Sequence, residues 1–430
     1  MRRSFTRGLL VVTAALALLA TACGDDDDEG ADSETTEAPG AERGNVDGTV
    51  VFGHLGPQTG SLSAILPSLT TAVQMVVDEI NAAGGLLGKP VTISLADDGS
   101  DNANLAQTSY GKLVNTDHID VLFGPAGSDV VARLTDSIAT DKLPTCTGSA
   151  TAGSLSGTGD GYFYRTAPPD SLQGPALGTL IAGDGRTKTA ILARNDDYGS
   201  GFATSLEDTL TEAGGTVTES VLYDPNGSNF DGDVQKALDS APDSVAVIGF
   251  GDDGAKIINT MIAKGAGPSQ IPIYTADGMQ SSKFASIVDP ADPSKVAGIR
   301  GTAPAASPAG VQSPFQAAFA TKGVDPIFSS YYYDCAILMG LAVHSADTDD
   351  GSAIAEEFTK HLEGDEDCQT FADCTAFLDD GKTIHYRGAS NTFDKWETME
   401  PGTGVYEVWA YDAAGKAVSE SADTQIKIGG

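Results

Sequence analysis

TVVF at 49–52 and ILPSLTTAVQMVVDEINAAGG at 65–85 set the architecture. The first is a run of β-branched and aromatic residues, which reads as a strand. In the second, Ile65, Leu69, Ala72, Val73, Val76 and Ile80 recur at helical spacing, and Gly84-Gly85 stops the helix. The same alternation continues outward. Val91 to Ala96 and Ile119 to Phe123 read as strands, Leu105 to Val114 and Ser128 to Thr140 as helices, and Pro144 to Thr147 as a further strand. It restarts near Thr187 with strands at Thr189–Ala193, Val217–Tyr223, Val245–Phe250 and Ile271–Tyr274. Helices at Phe202–Leu210, Val234–Leu238 and Ile257–Ile262 lie between them. Strands alternating with helices predict parallel sheets covered on both faces.

Between the two series lies Arg165-Thr166-Ala167-Pro168-Pro169-Asp170, whose prolines predict an extended crossing. Gly301-Thr302-Ala303-Pro304 is a similar stretch, followed by a long helix at about 329–346. The expected fold is α/β, with two doubly wound parallel-sheet lobes joined by a multi-strand hinge. A ligand would sit between the lobes, at the carboxyl ends of the strands.

The N-terminus addresses the chain outward. Arg2, Arg3 and Arg7 precede an apolar stretch from Leu9 to Ala20, interrupted by Thr13, and small residues lead to Cys23. This is the three-part design of a secretory signal, too short to span a bilayer. Its approach to Cys23 resembles a bacterial lipobox, which implies acylation of that cysteine. Asp25 to Asp28 and Glu29 open an acidic segment, poor in large apolar groups, that reads as a disordered tether to about residue 46. The net charge of −35 argues against nucleic acid as a partner. With Cys23 acylated, four of the five cysteines remain, allowing three pairings. Cys368 and Cys374, a short loop apart, are expected to pair, leaving Cys146 with Cys335.

Motifs for catalysis are missing. The sequence has no His-Glu-x-x-His, Cys-x-x-Cys or Gly-x-Ser-x-Gly, and its five histidines are scattered. No metal and no cofactor is expected. Gly249-Phe250-Gly251-Asp252-Asp253-Gly254, with Asp277 downstream, mimics a dinucleotide fingerprint. Two acids at the helix start would oppose a diphosphate, which weighs against that reading. Two polar turns point to a carboxylate instead. Gly124-Pro125-Ala126-Gly127-Ser128-Asp129 ends a strand and opens a helix. Thr147-Gly148-Ser149-Ala150-Thr151-Ala152 ends the next strand. Each could cap a helix; two on adjacent strands facing one cleft favour an anion site.

From about Gly48 to Asp412 the chain resembles the branched-chain amino-acid binding proteins, type I periplasmic binding proteins of ABC importers. The resemblance rests on Gly53-His54-Leu55-Gly56-Pro57-Gln58-Thr59-Gly60, Asp78 to Gly88, and the turns at 124 and 149. It also rests on Arg165-Thr166-Ala167, Asp197-Tyr198-Gly199-Ser200-Gly201 and Tyr386 to Ser390. The Cys368/Cys374 loop looks like that of actinobacterial members. The resemblance implies that Ser128 and Thr151 bind a ligand carboxylate. The Ser149 carbonyl and the Thr151 hydroxyl would meet its ammonium, with Ala150 between them in the turn. Asp277 would pair with that ammonium from the second lobe, Tyr198 would close over the ligand, and Phe250 holds a position often occupied by tyrosine. Gln58 and Leu62 would line the side-chain pocket.

The implied partition is a signal peptide at 1–22 and a tether at 23–46. Lobe one would be 47–167 plus 304–390, and lobe two 168–303 plus 391–430, with hinges near 165–169, 302–304 and 388–393. The implied partners are a small solute, an ABC permease and membrane lipid held through Cys23. The chain would be a monomer on the outer face of the cytoplasmic membrane, capturing its solute by lobe closure. A sensing lipoprotein of the same fold is the alternative.

Overall fold

The structure, a computed structural model, describes residues 46–429. The expected signal segment, Cys23 and the tether up to residue 45 lie outside the described residues.

The first half runs β1 (Val51–Gly56), α1 (Leu66–Ala82), β2 (Thr92–Asp97), α2 (Ala103–Asn115), β3 (Val121–Phe123), α3 (Ser128–Thr140), β4 (Thr145–Thr147) and β5 (Phe163–Arg165). The second runs α4 (Asp170–Gly183), β6 (Lys188–Arg194), α5 (Asp197–Glu212), β7 (Thr216–Tyr223), α6 (Asp231–Asp239), β8 (Ser244–Ile248), α7 (Gly251–Ala263), β9 (Ile273–Thr275), α8 (Phe284–Val288) and β10 (Arg300–Pro304). Then follow α9 (Pro314–Ala320), α10 (Ser329–Ala346), α11 (Gly351–Phe358), β11 (Glu366–Cys368), α12 (Phe371–Asp379) and β12 (Ile384–Tyr386). The chain ends in β13 (Trp396–Glu397), β14 (Glu400–Pro401), β15 (Gly404–Tyr411), β16 (Ala417–Ser419) and β17 (Ile426–Ile428).

The first sheet is parallel, in the order β2-β1-β3-β4-β5. The second repeats that order as β7-β6-β8-β9-β10, then adds β15 antiparallel to β10. In each sheet the order reverses beside its first strand, and a crevice opens there at the carboxyl ends. The two doubly wound lobes expected from the sequence are therefore present.

Helix α1 buries Leu69, Ala72, Val73, Val76 and Ile80 on the first sheet, the face its periodicity marks. Helix α10 is buried from Ser329 to Val343 and is pinned to β4 by the Cys146–Cys335 disulfide. Cys368–Cys374 is also bonded.

The structure differs from the sequence reading in four places. Strand β1 runs to Gly56 rather than stopping at Phe52. A Cβ at Gly53 would lie 2.5 Å from Ile119 Cδ1, so close packing, not strand propensity, places a glycine there. Helix α4 contains Pro175 and three glycines and carries no helical signature. It packs closely on α5: a Cβ at Gly174 would meet Ser205 Oγ at 2.4 Å, and one at Gly178 would meet Thr209 Cγ2 at 2.6 Å. Residues 300–304 form a strand of the second sheet, and the chain crosses only beyond Pro304.

The fourth difference concerns 388–403. The Asp334 carboxylate on α10 accepts from the N–H groups of Ala389 and Ser390, both at 2.7 Å, and from Tyr386 OH at 2.7 Å. That clamp fixes 388–390 to the first lobe. Arg165 N–H donates to the Met399 carbonyl at 3.1 Å, so this stretch stays beside the first sheet until the chain enters β15 at Gly404.

Candidate ligand-binding cleft

The first-lobe wall is built from the loops after β1, β3 and β4. Gly124 turns the chain at φ +91°, where a Cβ would lie 2.2 Å from the Leu55 carbonyl oxygen, so glycine is required. Buried Asp98 accepts from the N–H groups of Ala126 (3.1 Å) and Ser100 (2.8 Å); burial pushes its carboxyl up to about 7. Ser149 Oγ donates to the Ala126 carbonyl at 3.0 Å, and Tyr332 OH on α10 lies 3.2 Å from it. Its hydroxyl proton is thereby committed inside the wall. Ser128, the first residue of α3, accepts at Oγ from Ala152 N–H (3.1 Å). Its own proton is left to donate, beside the open N–H groups of the helix start.

The second-lobe wall is aromatic and acidic. Tyr198, near the start of α5, stacks on Phe250 with centroids 5.1 Å apart at 16°. The Arg194 guanidinium covers Phe250 at 4.0 Å. Arg194 also pairs with Asp253, Asp196 and Asp101, each at 2.7 Å. Asp101 follows β2, so this last pair ties second lobe to first across the cleft rim. Asp277, just past β9, is 5% exposed. Its Oδ1 accepts from Gln173 Nε2 at 2.7 Å and from Tyr198 OH at 3.3 Å. Burial pushes the Asp277 carboxyl up to about 6. Gly278 lets the turn pass under Gly249: a Cβ would sit 2.5 Å from that carbonyl oxygen.

Between the walls lies a small cavity of about 20 Å³. Ser128, Ser149, Thr151 and Leu62 line it from the first lobe, and Tyr198, Phe250 and Asp277 from the second. Two expected residues do not line it. Ala150 is fully buried, and its carbonyl accepts from Arg165 Nη1 at 3.1 Å. Gln58 lines a separate cavity with His54, Leu66 and Leu95, because its N–H closes a tight turn onto Gly56 (2.9 Å) behind the loop.

Sequence reasoning missed Ile65, Ala126, Gly127, Gly278 and Phe328 as lining groups. Ile65 was hidden in the helical stripe of α1. Phe328 precedes α10 at φ +57°, a conformation that no sequence signal announces. Asp170 was read as part of a crossing, yet it starts α4 directly behind Thr151, whose carbonyl accepts from its N–H at 2.7 Å. The dinucleotide look-alike at 249–254 is otherwise engaged: Asp253 holds Arg194, and Tyr223 OH donates to it at 2.5 Å. Among the described residues, no group of three or more His, Cys, Asp or Glu is arranged to hold a metal ion, and no helix is long and apolar enough to cross a membrane.

Comparison with known proteins gives a consistent result. Residues 49–386 match the periplasmic binding protein family. The chemotactic signal transduction system substrate-binding protein BasB of Halobacterium salinarum is 27% identical over 83% of this chain and 85% of its own. Among solved structures, the leucine binding protein LivK of Thermotoga maritima has a TM-score of 0.73 at 19% identity, covering 89% of this chain and 99% of that one. A solute binding protein of R. palustris, solved with 4-hydroxybenzoate, has a TM-score of 0.68 at 16% identity, over 87% and 96%. This chain belongs to the periplasmic binding protein family, with the type I fold. It is an extracytoplasmic solute-binding protein and not an enzyme.

Proposed function

We propose that this protein captures an α-amino acid with an apolar side chain by lobe closure and delivers it to an ABC permease, while anchored to the membrane through an acylated Cys23. The observation that carries this reading is Asp277, a buried carboxyl facing the cavity opposite Ser128 and Thr151. An ammonium shut away from water needs an opposite charge, because an unpaired buried ion costs several kcal/mol. In this reading, Ser128 O–H and the N–H groups of the α3 start hold the carboxylate. The Ser149 carbonyl, the Thr151 hydroxyl and Asp277 receive the ammonium. Leu62, Ile65 and Phe328 form an apolar wall for the side chain, and Tyr198 on Phe250 closes over it.

Calorimetric titration with the twenty amino acids, urea, short amides and benzoate tests this. Tight binding of an apolar amino-acid class is expected. Binding of benzoate alone, as the aromatic-acid-bound R. palustris structure would suggest for its own ligand, would remove the ammonium from the reading. A second reading, sensing rather than uptake, is favoured by the match to the chemotactic protein BasB. Uptake of labelled ligand in cells lacking this protein separates the two, since a sensor leaves uptake unchanged.

A further inference from the structure

Behind the cleft a second carboxyl lies beside Asp277. Asp170, the first residue of α4, is 1% exposed, and neither of its oxygens has a hydrogen-bond partner. One turn along the same helix, Gln173 spends its Nε2 on Asp277 Oδ1 (2.7 Å) and the Thr302 carbonyl (3.1 Å). A single helical turn thus carries one buried acid and grips the other.

The groups facing the pair leave it short of positive charge. From α5, Tyr198 OH donates to Asp277. From β15, buried Tyr406 turns its hydroxyl toward the Pro169 carbonyl at 3.5 Å. From β5, Arg165 draws Asp170 toward ionisation, but its guanidinium is engaged by Glu400 (2.5 Å) and by the carbonyls of Ala150 and Ala152. The Thr151 hydroxyl and the amino end of α4 add a dipole each. Together these can support one negative charge on the pair, not two.

We propose that the Asp170–Asp277 pair gates closure: the empty cleft closes when the pair holds a proton, and the ammonium of a ligand takes that proton's place. The first half rests on the buried pair and on the lobe-closure reading above; the second rests also on the amino-acid reading. Opening the cleft would admit water to the pair and lower the cost of holding both charges. Closing without a cation buries both charges. Burial, followed by the neighbouring charge of Asp277, holds Asp170 well above the carboxylate range, and burial holds Asp277 near 6. The closed empty form therefore binds more protons than the open form, and acid favours it. The closed loaded form carries an ammonium instead and binds fewer protons. On ligand capture one carboxyl O–H becomes carboxylate and its proton passes to solvent.

Small-angle scattering of the ligand-free protein from pH 8 to pH 5 tests the gate. Its radius of gyration should fall as the pH drops across this range, and Asp170→Asn with Asp277→Asn should be compact even at pH 8. A radius that does not change with pH overturns the proposal, and this readout needs no variant to fold. With an ammonium ligand, calorimetry in buffers of different ionisation heat should show proton release that grows toward one per ligand as the pH falls. Affinity should fall over the same range, by up to about tenfold per pH unit. Binding without proton release also overturns the gate. Acid compaction in a protein that binds no ammonium-bearing solute keeps the gate and sinks the amino-acid reading.

Discussion

The two walls of the cleft are made of different materials. The first is a hydrogen-bonded frame: Ser149 meets Tyr332, and Asp98, Ser149 and Ser128 hold the backbone of the turns at 124–128 and 148–152. A disulfide from β4 to α10 holds it. The second wall keeps its polar capacity underused, with a carboxyl at Asp277 and stacked rings at Tyr198 and Phe250. A pre-satisfied wall can dock a ligand before the lobes move. A wall with a buried charge gains only when a ligand arrives, which suits it to driving closure.

That contrast breaks most sharply at Asp277. Asp277→Ala should weaken amino-acid binding by about a hundredfold or more, since truncating one partner of a buried charge pair costs roughly 2–5 kcal/mol. An effect below about fivefold by titration would mean the second wall holds no ammonium. Ser128→Ala removes a carboxylate donor and leaves Ala152 N–H without its acceptor. A loss of about tenfold is expected, from roughly 1–2 kcal/mol. A larger loss than at Asp277 would invert the roles of the walls.

Asp101→Asn tests the tie across the rim. Asp101 is a third exposed, so the pair with Arg194 is worth about 1 kcal/mol at most. Stopped-flow measurement should show ligand release severalfold faster, and the difference should shrink in high salt. Gln58→Ala marks the floor. Its side chain lines another cavity, so affinity should stay within about twofold of the parent.

Legibility followed the kind of force at work. Helices α1 and α3 and the strands around them could be read because their apolar spacing is dictated by one buried face. Helix α10 was also placed within its bounds, although it is buried on nearly every side. Helix α4 was invisible, since glycines chosen for contact with α5 erase both propensity and period. At the site, polar turns at strand ends announced Ser128, Ser149 and Thr151. Phe328 and Asp170 arrive from crossings, where no repeat constrains what the next residue faces.

The sequence by itself determined that strands and helices alternate in two series, and that polar turns fall at the strand ends. Those properties are local, fixed by burial period and turn chemistry. Only the tertiary structure decided which turns share a cavity, that Gln58 faces away, and that Asp170 lies behind Thr151 beside Asp277. Those facts depend on how two sheets distant in sequence meet, and nothing in the spacing of one strand encodes the position of the other.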